Sequence, residues 1–381
     1  MQLAAKLPSV GTTIFSVMSQ LAAEHRAVNL GQGFPDFEPP EELKAALSRA
    51  LADGKHQYAP APGVLKLREQ IALKIRLLYG ARVDPETEVT VTSGATEALF
   101  AAIAATVHTG DEVIILDPSY DSYAPAIELQ GALAVRVPLR VPSFSIDWDR
   151  LRDAITEKTR LIIINTPHNP TGAVLDGQDH DLLAELVRGR NIFILSDEVY
   201  EHIVFDGEEH QSILRHPELA ERSFAVSSFG KTYHCTGWKL GYAVAPKALS
   251  AEFRKIHQYL TFSSFTPAQW ALAEMLHDHP QHYLNLPDFY RERRDYFRRL
   301  LQPSRFKLLP VRGAYFQLAD YSEIRDVDDV AFCDWLVRES GVAAIPLTPF
   351  YGEPPGTRLV RFCFAKNDAT LEAAAERLCR L

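Results

Sequence analysis

The sequence Leu161-Ile-Ile-Ile-Asn165-Thr-Pro-His-Asn-Pro-Thr-Gly172 joins an aliphatic run to a loop of turn-forming and polar residues. The run 161–164 favours a strand that is buried on both faces. Pro167 and Pro170 stiffen the loop that follows, and Asn169 offers an amide within it. The stretch therefore predicts a buried strand that ends in a rigid, polar loop.

Similar short runs recur along the chain at 88–92, 112–116, 192–196, 224–227 and 240–244. Helix-length segments lie between most of them. Apolar strands that alternate with helices predict an α/β fold with a mainly parallel sheet covered on both faces. Ligands bind such sheets at the carboxyl ends of the strands, so the residues after each run are the candidates for a site.

The pattern changes near both ends of the chain. Turn residues are frequent up to about Pro40, which predicts an irregular N-terminal arm. After Tyr283, a charged helical pattern at 287–301 precedes short strands at 307–309, 314–318 and 358–364, with helices at 328–340 and 369–380. We therefore expect an arm at 1–40 that is part of a small domain, a large domain at 41–282 and a small α+β domain at 283–381.

Composition narrows the class of protein. The chain has 381 residues, a net charge of −9 and 46% apolar residues. An acidic balance argues against nonspecific binding to nucleic acid or membrane. No N-terminal pattern is typical of a signal peptide, and four cysteines are spaced neither for zinc nor for a disulfide framework. We expect a cytoplasmic protein without a metal site.

Two polar segments follow strand-like runs in the large domain. Ser93-Gly-Ala-Thr96 opens a helical pattern, and small residues there let backbone N–H groups approach a phosphate. Alone, it is equally typical of an ordinary strand-to-helix turn. In Ser196-Asp-Glu-Val-Tyr200, Asp197 needs a partner because an unpaired buried charge is costly, whereas Glu198 is interpreted as a structural or surface neighbour.

The segment Ser227-Ser-Phe-Gly-Lys231-Thr-Tyr-His-Cys-Thr-Gly-Trp-Lys239-Leu-Gly-Tyr242 carries the strongest chemical signal. A lysine in a semi-apolar site near another cation loses part of its preference for the charged form and can act as a nucleophile. The alternative is a solvated surface lysine, which is the usual state of this residue.

Taken in chain order, these segments resemble the class I, fold-type I aminotransferases, which use pyridoxal 5'-phosphate (PLP). Further segments that carry the resemblance are Gly31-Gln-Gly-Phe-Pro-Asp-Phe37, Gln57-Tyr-Ala-Pro60, Asp117-Pro-Ser-Tyr-Asp-Ser-Tyr123 and Arg361-Phe-Cys-Phe-Ala-Lys366. The likeness is strongest to bacterial methionine aminotransferases, then to the branch of kynurenine aminotransferase and glutamine transaminase K. It implies transfer of an α-amino group to a 2-oxo acid.

The resemblance implies roles around the cofactor ring. Lys231 would bind the cofactor covalently and then carry a proton. Asp197 would pair with the pyridine nitrogen, and Asn169 and Tyr200 would hydrogen-bond the ring oxygen. Tyr120 would stack on the ring.

The resemblance also implies a phosphate site. Its donors would be the amides near Ala95 and Thr96, together with Ser228 and Lys239. Tyr58 would reach the phosphate from a second subunit, so the active unit would be a homodimer.

For the substrate, the resemblance implies that Arg361 binds the α-carboxylate bidentately, helped by Gly33 and Asn169. Arg361 could instead be a solvated strand arginine, but its apolar neighbours favour a buried one.

Substrate choice rests on the pocket aromatics and on Lys239. Phe15, Tyr58 and Phe265 align with an apolar pocket, which predicts methionine, aromatic, leucine or glutamine-like donors. Lys239 stands where the aspartate aminotransferases have arginine, and the kynurenine branch also tolerates lysine there.

Several alternatives stay open on sequence. A cysteine-S-conjugate β-lyase would begin with the same proton removal. Ser228 and Lys231 match the S-x-x-K pattern of serine acylases, although the companion motifs are missing. The histidines at 277, 279 and 282 could suggest a metal, but nothing in their spacing defines a tetrahedral set.

Overall fold

A seven-stranded sheet is the main feature of the computed structural model, which describes residues 4–381. The strands of the described region are β1 (Val28–Asn29), β2 (Val89–Thr92), β3 (Glu112–Asp117), β4 (Leu133–Pro138), β5 (Thr159–Asn165), β6 (Phe193–Asp197), β7 (Ser223–Ser228), β8 (Gly241–Val244), β9 (Lys307–Leu308), β10 (Phe316–Asp320), β11 (Val342–Ala343), β12 (Ile345–Pro346) and β13 (Leu359–Cys363). In the large sheet their order is β2-β8-β7-β6-β5-β3-β4.

Helices separate and cover these strands. They are α1 (Ile14–Glu24), α2 (Glu41–Ala52), α3 (Leu65–Tyr79), α4 (Ala95–Thr106), α5 (Tyr123–Glu128), α6 (Trp148–Asp153), α7 (Gly177–Val187), α8 (Pro217–Ala220), α9 (Phe229–Thr232), α10 (Lys247–Leu260), α11 (Thr266–Asp278), α12 (Gln281–Leu284), α13 (Leu286–Leu301), α14 (Asp329–Trp335) and α15 (Asp368–Leu378). A π-helical turn, Leu336–Ser340, follows α14. No helix in the described region is both long and apolar enough to cross a bilayer.

The large sheet is parallel except at β8, which runs antiparallel between β2 and β7. Alternate side chains of the central strands enter two different cores. Ile163 and Leu195 pack in one core with Ala98 and Ile103 of α4, whereas Ile164 faces the other. The sheet is therefore covered on both faces, and the predicted α/β fold with a mainly parallel sheet is confirmed.

Two smaller sheets complete the molecule. The order β12-β13-β10-β9 forms an antiparallel sheet near the C-terminus, and β1 pairs in parallel with β11. The N-terminal segment is thus tied directly to the C-terminal part of the chain.

The prediction that the N-terminal arm is irregular is wrong for α1. Thr13 caps this helix by accepting a hydrogen bond from the Ser16 amide, and Met18 and Ala22 bury its inner face. The Gly and Pro residues that suggested an irregular arm lie mostly after this helix, in the loop that follows β1.

Candidate active site

The carboxyl ends of the parallel strands border a cavity that gathers most of the residues singled out in the sequence. Those that line it are Phe15, Gly33, Ala95, Thr96, Tyr120, Asn169, Asp197, Tyr200, Ser228, Lys231, Lys239 and Arg361. Lining residues that the sequence did not single out as site residues include Gln32, Phe34, Leu99, Asn165, Val199, Thr236 and Phe316.

Lys231 lies in α9, directly after β7. Its Nζ donates a hydrogen bond of 2.8 Å to the Gly33 carbonyl and lies 5.7 Å and 5.6 Å from the ring centroids of Tyr200 and Tyr315. Burial lowers the pKa of Lys231 to about 8, although the nearby Asp197 carboxylate opposes that shift. A substantial neutral fraction makes this amine a usable nucleophile and base.

Asp197 is the last residue of β6 and is buried. The Tyr123 hydroxyl donates to its Oδ2 at 2.6 Å, and the Val199 amide donates to Oδ1 at 3.3 Å. Burial raises the pKa of Asp197 to about 6, against the lowering effect of these two hydrogen bonds. The group is a mostly ionised carboxylate at neutral pH.

Asn165 holds the loop after β5 in place. Its Nδ2 donates to the Asp197 carbonyl at 2.8 Å, while its Oδ1 accepts from the Asn169 amide at 2.8 Å. Sequence reasoning quoted Asn165 only as the end of a strand, because its role depends on a contact with the neighbouring strand.

Arg361 projects from β13 and is fully buried. Its Nη1 donates to Asn169 Oδ1 at 2.7 Å and its Nη2 to the Gly31 carbonyl at 2.8 Å. The guanidinium lies 4.1 Å from the Phe316 ring and 5.2 Å from the Phe15 ring. Its Nε has no hydrogen-bond partner among the described residues, which leaves a buried donor for a ligand.

The turn 93–96, which we call the cup, precedes and opens α4. Gly94 has a φ of 79°, and a Cβ added there would lie 3.4 Å from Lys239 Nζ. Gly241 lies against the same turn, and a Cβ added to it would approach Ala95 N to 2.9 Å and Ser227 O to 2.6 Å. Backbone N–H groups at a helix N-terminus beside an ammonium form a site for an anion.

Two predicted site residues lie outside this cavity. The Tyr58 side chain is 81% exposed and that of Phe265 is 51% exposed. Glu198, in contrast, is buried and purely structural in its contacts, accepting from Ser196 Oγ at 2.9 Å and the Ile213 amide at 2.8 Å.

The histidines at 277–282 do not form a common site. His277 Nδ1 lies 2.7 Å from Asp278 Oδ1, and His282 Nε2 lies 2.9 Å from the Thr232 carbonyl. Within residues 4–381, no three His, Cys, Asp or Glu side chains are arranged as metal ligands.

An amine of lowered pKa, a buried carboxylate, an anion cup and a buried guanidinium share one cavity at the strand ends. With this fold, they define a PLP-dependent enzyme of fold type I.

Comparison with known proteins gives the family. A family model described as aminotransferase class I and II matches residues 25–378, and the chain belongs to that family. Methionine aminotransferase of Escherichia coli (strain K12) is 56% identical over 376 residues, covering 99% of this chain and 97% of that protein. Mouse kynurenine–oxoglutarate transaminase 1 is 35% identical over 395 residues, covering 95% of this chain and 93% of that protein.

A solved structure agrees. An Escherichia coli protein whose crystal structure and reactivity identify a methionine aminotransferase function has a TM-score of 0.98 at 55% identity, covering 100% of both chains. The predicted resemblance is confirmed, and the protein is an aminotransferase. The serine acylase alternative, which depended on Ser228 and Lys231, is thereby set aside.

Members of this family use PLP, and the residues present fit that cofactor. The cup turns at Gly94, whose φ of 79° favours glycine, and Lys239 Nζ lies beside that turn. Lys231 supplies a nucleophilic amine for the carbonyl carbon of the cofactor, and Asp197 supplies an anion for its pyridine nitrogen. Tyr120 borders the same cavity.

Proposed function

We propose that this aminotransferase takes the α-amino group from methionine, or another apolar, aromatic or glutamine-like amino acid, and transfers it to a 2-oxo acid. The observation that carries this proposal is one buried guanidinium in an otherwise aromatic wall. Arg361 can bind one carboxylate, while Phe15, Phe34 and Phe316 surround the space beside it. An apolar side chain would be favoured there, and a second carboxylate would lack a partner.

Lys231 is the proposed catalytic base and covalent anchor. PLP, when bound, supplies a carbonyl carbon for the amino group and a ring that withdraws negative charge. Lys231, with its pKa near 8, can hold or release a proton beside the substrate Cα at neutral pH. Asp197 would keep the pyridine nitrogen protonated, and Tyr200 and Asn169 would donate to the ring oxygen.

The phosphate would be held by the cup. The amides of Ala95 and Thr96, the Ser228 hydroxyl and the Lys239 ammonium are its proposed donors. Tyr120 would cover the ring, since it already lines the cavity.

The substrate carboxylate would be bound by Arg361, with the free Nε as one of its donors. Asn169 holds the other side of the guanidinium, and Gly33 lines the same wall of the cavity. Of the described residues that line the cavity, none favours β elimination over amino transfer.

We also propose a homodimer in which each subunit gives Tyr58 to the other subunit's phosphate site. Tyr58 and Phe262 form an exposed aromatic pair, with exposed fractions of 81% and 38% and ring centroids 5.2 Å apart, and Tyr259 and Phe265, which flank Phe262 in the sequence, are 92% and 51% exposed. Such a patch is typical of a protein interface. Phe265 lies outside the cavity of its own chain, so its proposed contact with substrate also requires the second subunit.

We propose a large PLP-binding domain at 41–282 and a small domain at 283–381 that includes part of the arm at 1–40. The seven-stranded sheet comes from residues 89–244 and the four-stranded sheet from 307–363, while β1 pairs with β11. A cytoplasmic location is proposed because the four cysteines, at 235, 333, 363 and 379, are free thiols.

An absorbance spectrum tests the proposed reaction. The band of the enzyme-bound cofactor is expected to bleach on addition of methionine, to return with a 2-oxo acid, and to be absent in Lys231→Ala. Aspartate in place of methionine should bleach the band poorly. If aspartate were the best donor in a panel, the proposed substrate class would be wrong.

A further inference from the structure

A chain of hydrogen bonds connects the cup to a distant loop through His257 of α10. Glu97 Oε2 accepts from the Ser93 amide of the cup at 2.5 Å, and Glu97 Oε1 lies 2.6 Å from His257 Nδ1. On the other side of the ring, His257 Nε2 lies 2.7 Å from the Ala61 carbonyl. The His257 side chain is fully buried. It therefore bridges α4 and the segment around Ala61 without contact with solvent.

Both ring nitrogens of His257 are occupied: Nε2 faces the Ala61 carbonyl, which can only accept, and Nδ1 faces Glu97 Oε1, with Thr261 Oγ1 at 3.2 Å from the same nitrogen. Burial by itself would lower the pKa of His257, but the hydrogen bond to Glu97, its negative charge and the Ala61 carbonyl together raise it. Hydrogen bonds at both ring nitrogens fix the orientation of the ring between Glu97 and Ala61.

The loop on the far side, residues 57–64, is called the strap. Besides His257, it is held by hydrogen bonds of 3.0 Å from the Ala59 amide to Thr266 Oγ1 and 2.8 Å from the Val64 amide to Gln269 Oε1. Tyr58 stands out from the strap into solvent, with its ring 5.2 Å from that of Phe262. The strap is thus a fixed base for an exposed side chain.

We infer that His257 is a positioning residue that couples the phosphate cup of one subunit to the Tyr58 which that subunit gives to its partner. The inference rests on the proposed dimer. A phosphate bound at the cup restricts the motion of the Ser93 turn, and the hydrogen bonds of Glu97 and His257 extend that restriction to Ala61. Loading one site with PLP therefore holds the strap, and with it Tyr58, ready for the second site.

Two conservative substitutions cut the connection at opposite ends. In His257→Asn, the amide nitrogen can stand in for Nδ1 and keep the bond to Glu97, while the bond to Ala61 is lost. In His257→Gln, the amide nitrogen can stand in for Nε2 and keep the bond to Ala61, while the bond to Glu97 is lost. Circular dichroism and sedimentation check that each variant is a folded dimer.

Amide hydrogen exchange of the strap, in apoenzyme and holoenzyme, measures the coupling. All variants carry Tyr58→Phe, which removes direct contact of the Tyr58 hydroxyl with the partner's phosphate. With His257 intact, PLP is expected to slow exchange in residues 59–64 by about tenfold. In both His257 variants this slowing should disappear, although His257→Asn should bind PLP within about threefold of its parent.

The outcomes separate two failures. Equal slowing of the strap with and without His257 would overturn the coupling and leave the proposed aminotransferase intact. The proposed dimer contribution is tested by Tyr58→Phe alone, whose PLP dissociation constant should rise by about tenfold, the effect of losing a hydrogen bond to an anion. An unchanged constant would overturn that contribution, and the coupling of sites with it.

Discussion

At the scale of single residues, the state of Lys231 decides how the cofactor attaches. Because burial lowers its pKa to about 8, roughly a tenth of this amine is neutral at pH 7, against far less than a hundredth for an exposed lysine. The Gly33 carbonyl accepts from this amine at 2.8 Å and keeps it in the cavity.

We predict that PLP attaches to the apoenzyme with a rate that climbs about tenfold per pH unit below pH 8 and levels off above it. The bound-cofactor absorbance band gives the rate. Reaction of PLP with a free lysine derivative, measured in parallel, corrects for the titration of PLP itself. A corrected rate that keeps climbing to pH 10 would mean that Lys231 is an ordinary lysine.

Tyr123 supports the carboxylate that faces the cofactor ring. Its hydroxyl donates to Asp197 at 2.6 Å and favours the ionised form. Tyr123→Phe should therefore raise the pKa of Asp197 above 6. As the pH is lowered, the PLP affinity of the variant should begin to fall about one pH unit higher than that of the wild type. Titration of apoenzyme with PLP across pH 5 to 8 measures this.

The matched control is Tyr290→Phe, because the Tyr290 hydroxyl is buried without a partner in the described region. That variant should bind PLP with the wild-type pH dependence. Coincident curves for Tyr123→Phe and wild type would mean that Tyr123 does not stabilise the Asp197 carboxylate.

Motif order predicted that most of the proposed site residues lie near one another, and they line one cavity, but it did not identify the groups that support them. Asp197 ends a strand, and Lys231 and Asn169 follow strands. Because parallel strands end at one edge of a sheet, their meeting was predictable. Tyr123 and Tyr315 were not singled out, because their roles depend on side-chain contacts across distant segments. Tyr315, for example, donates to the Gly33 carbonyl from 282 positions away.

At the scale of elements, β8 shapes the cup. It runs antiparallel between β2 and β7, and its first residue, Gly241, pairs with Thr92 and Ser228. A side chain at 241 would collide with backbone atoms of 227, 94 and 95 at 2.6–3.0 Å, and backbone cannot move aside cheaply.

Gly241→Ala is therefore predicted to weaken PLP binding by at least about tenfold and to destabilise the fold by about 1–3 kcal/mol. Equilibrium titration with PLP and urea unfolding measure the two effects. Gly237→Ala is the matched control, since a Cβ there meets nothing within 4 Å. Similar PLP affinities for the two variants would contradict the steric role of Gly241.

Strand prediction succeeded where strands are buried and failed at the margin of the sheet. The run 161–165 falls within β5, and 240–244 overlaps β8. β4 was missed because it is an edge strand in which Arg136 interrupts the apolar run. The antiparallel direction of β8 was likewise invisible, because strand direction depends on the connections.

At the scale of the whole molecule, the site lies where three parts of the chain meet. Arg361 of the C-terminal sheet donates to Gly31, Lys231 after the large sheet donates to Gly33, and Lys366 donates to the Phe34 carbonyl at 2.8 Å. Three cations thus hold one N-terminal loop against the cavity. Local patterns in sequence contain no signal for this meeting, and only the family resemblance anticipated it.

The proposed dimer makes a prediction about mixed subunits. If Tyr58 completes the partner's site, each active site draws Lys231 from one chain and Tyr58 from the other. Lys231→Ala homodimers should be inactive, and Tyr58→Ala homodimers should lose most PLP affinity, because a hydrogen bond to the phosphate is gone. A heterodimer of the two variants, however, pairs an intact Lys231 with an intact Tyr58 at one of its sites.

Differently tagged variants, refolded or co-expressed and purified through both tags, test this arrangement. The heterodimer should have about half of the wild-type activity per dimer at PLP concentrations too low to load Tyr58→Ala, because one of its two sites is native. The control is a heterodimer in which one chain carries both Lys231→Ala and Tyr58→Ala and the other chain is wild type. Neither of its sites combines an intact Lys231 with an intact Tyr58, so it should be nearly inactive under those conditions. Equal activity of the two arrangements would mean that Tyr58 does not act across the interface.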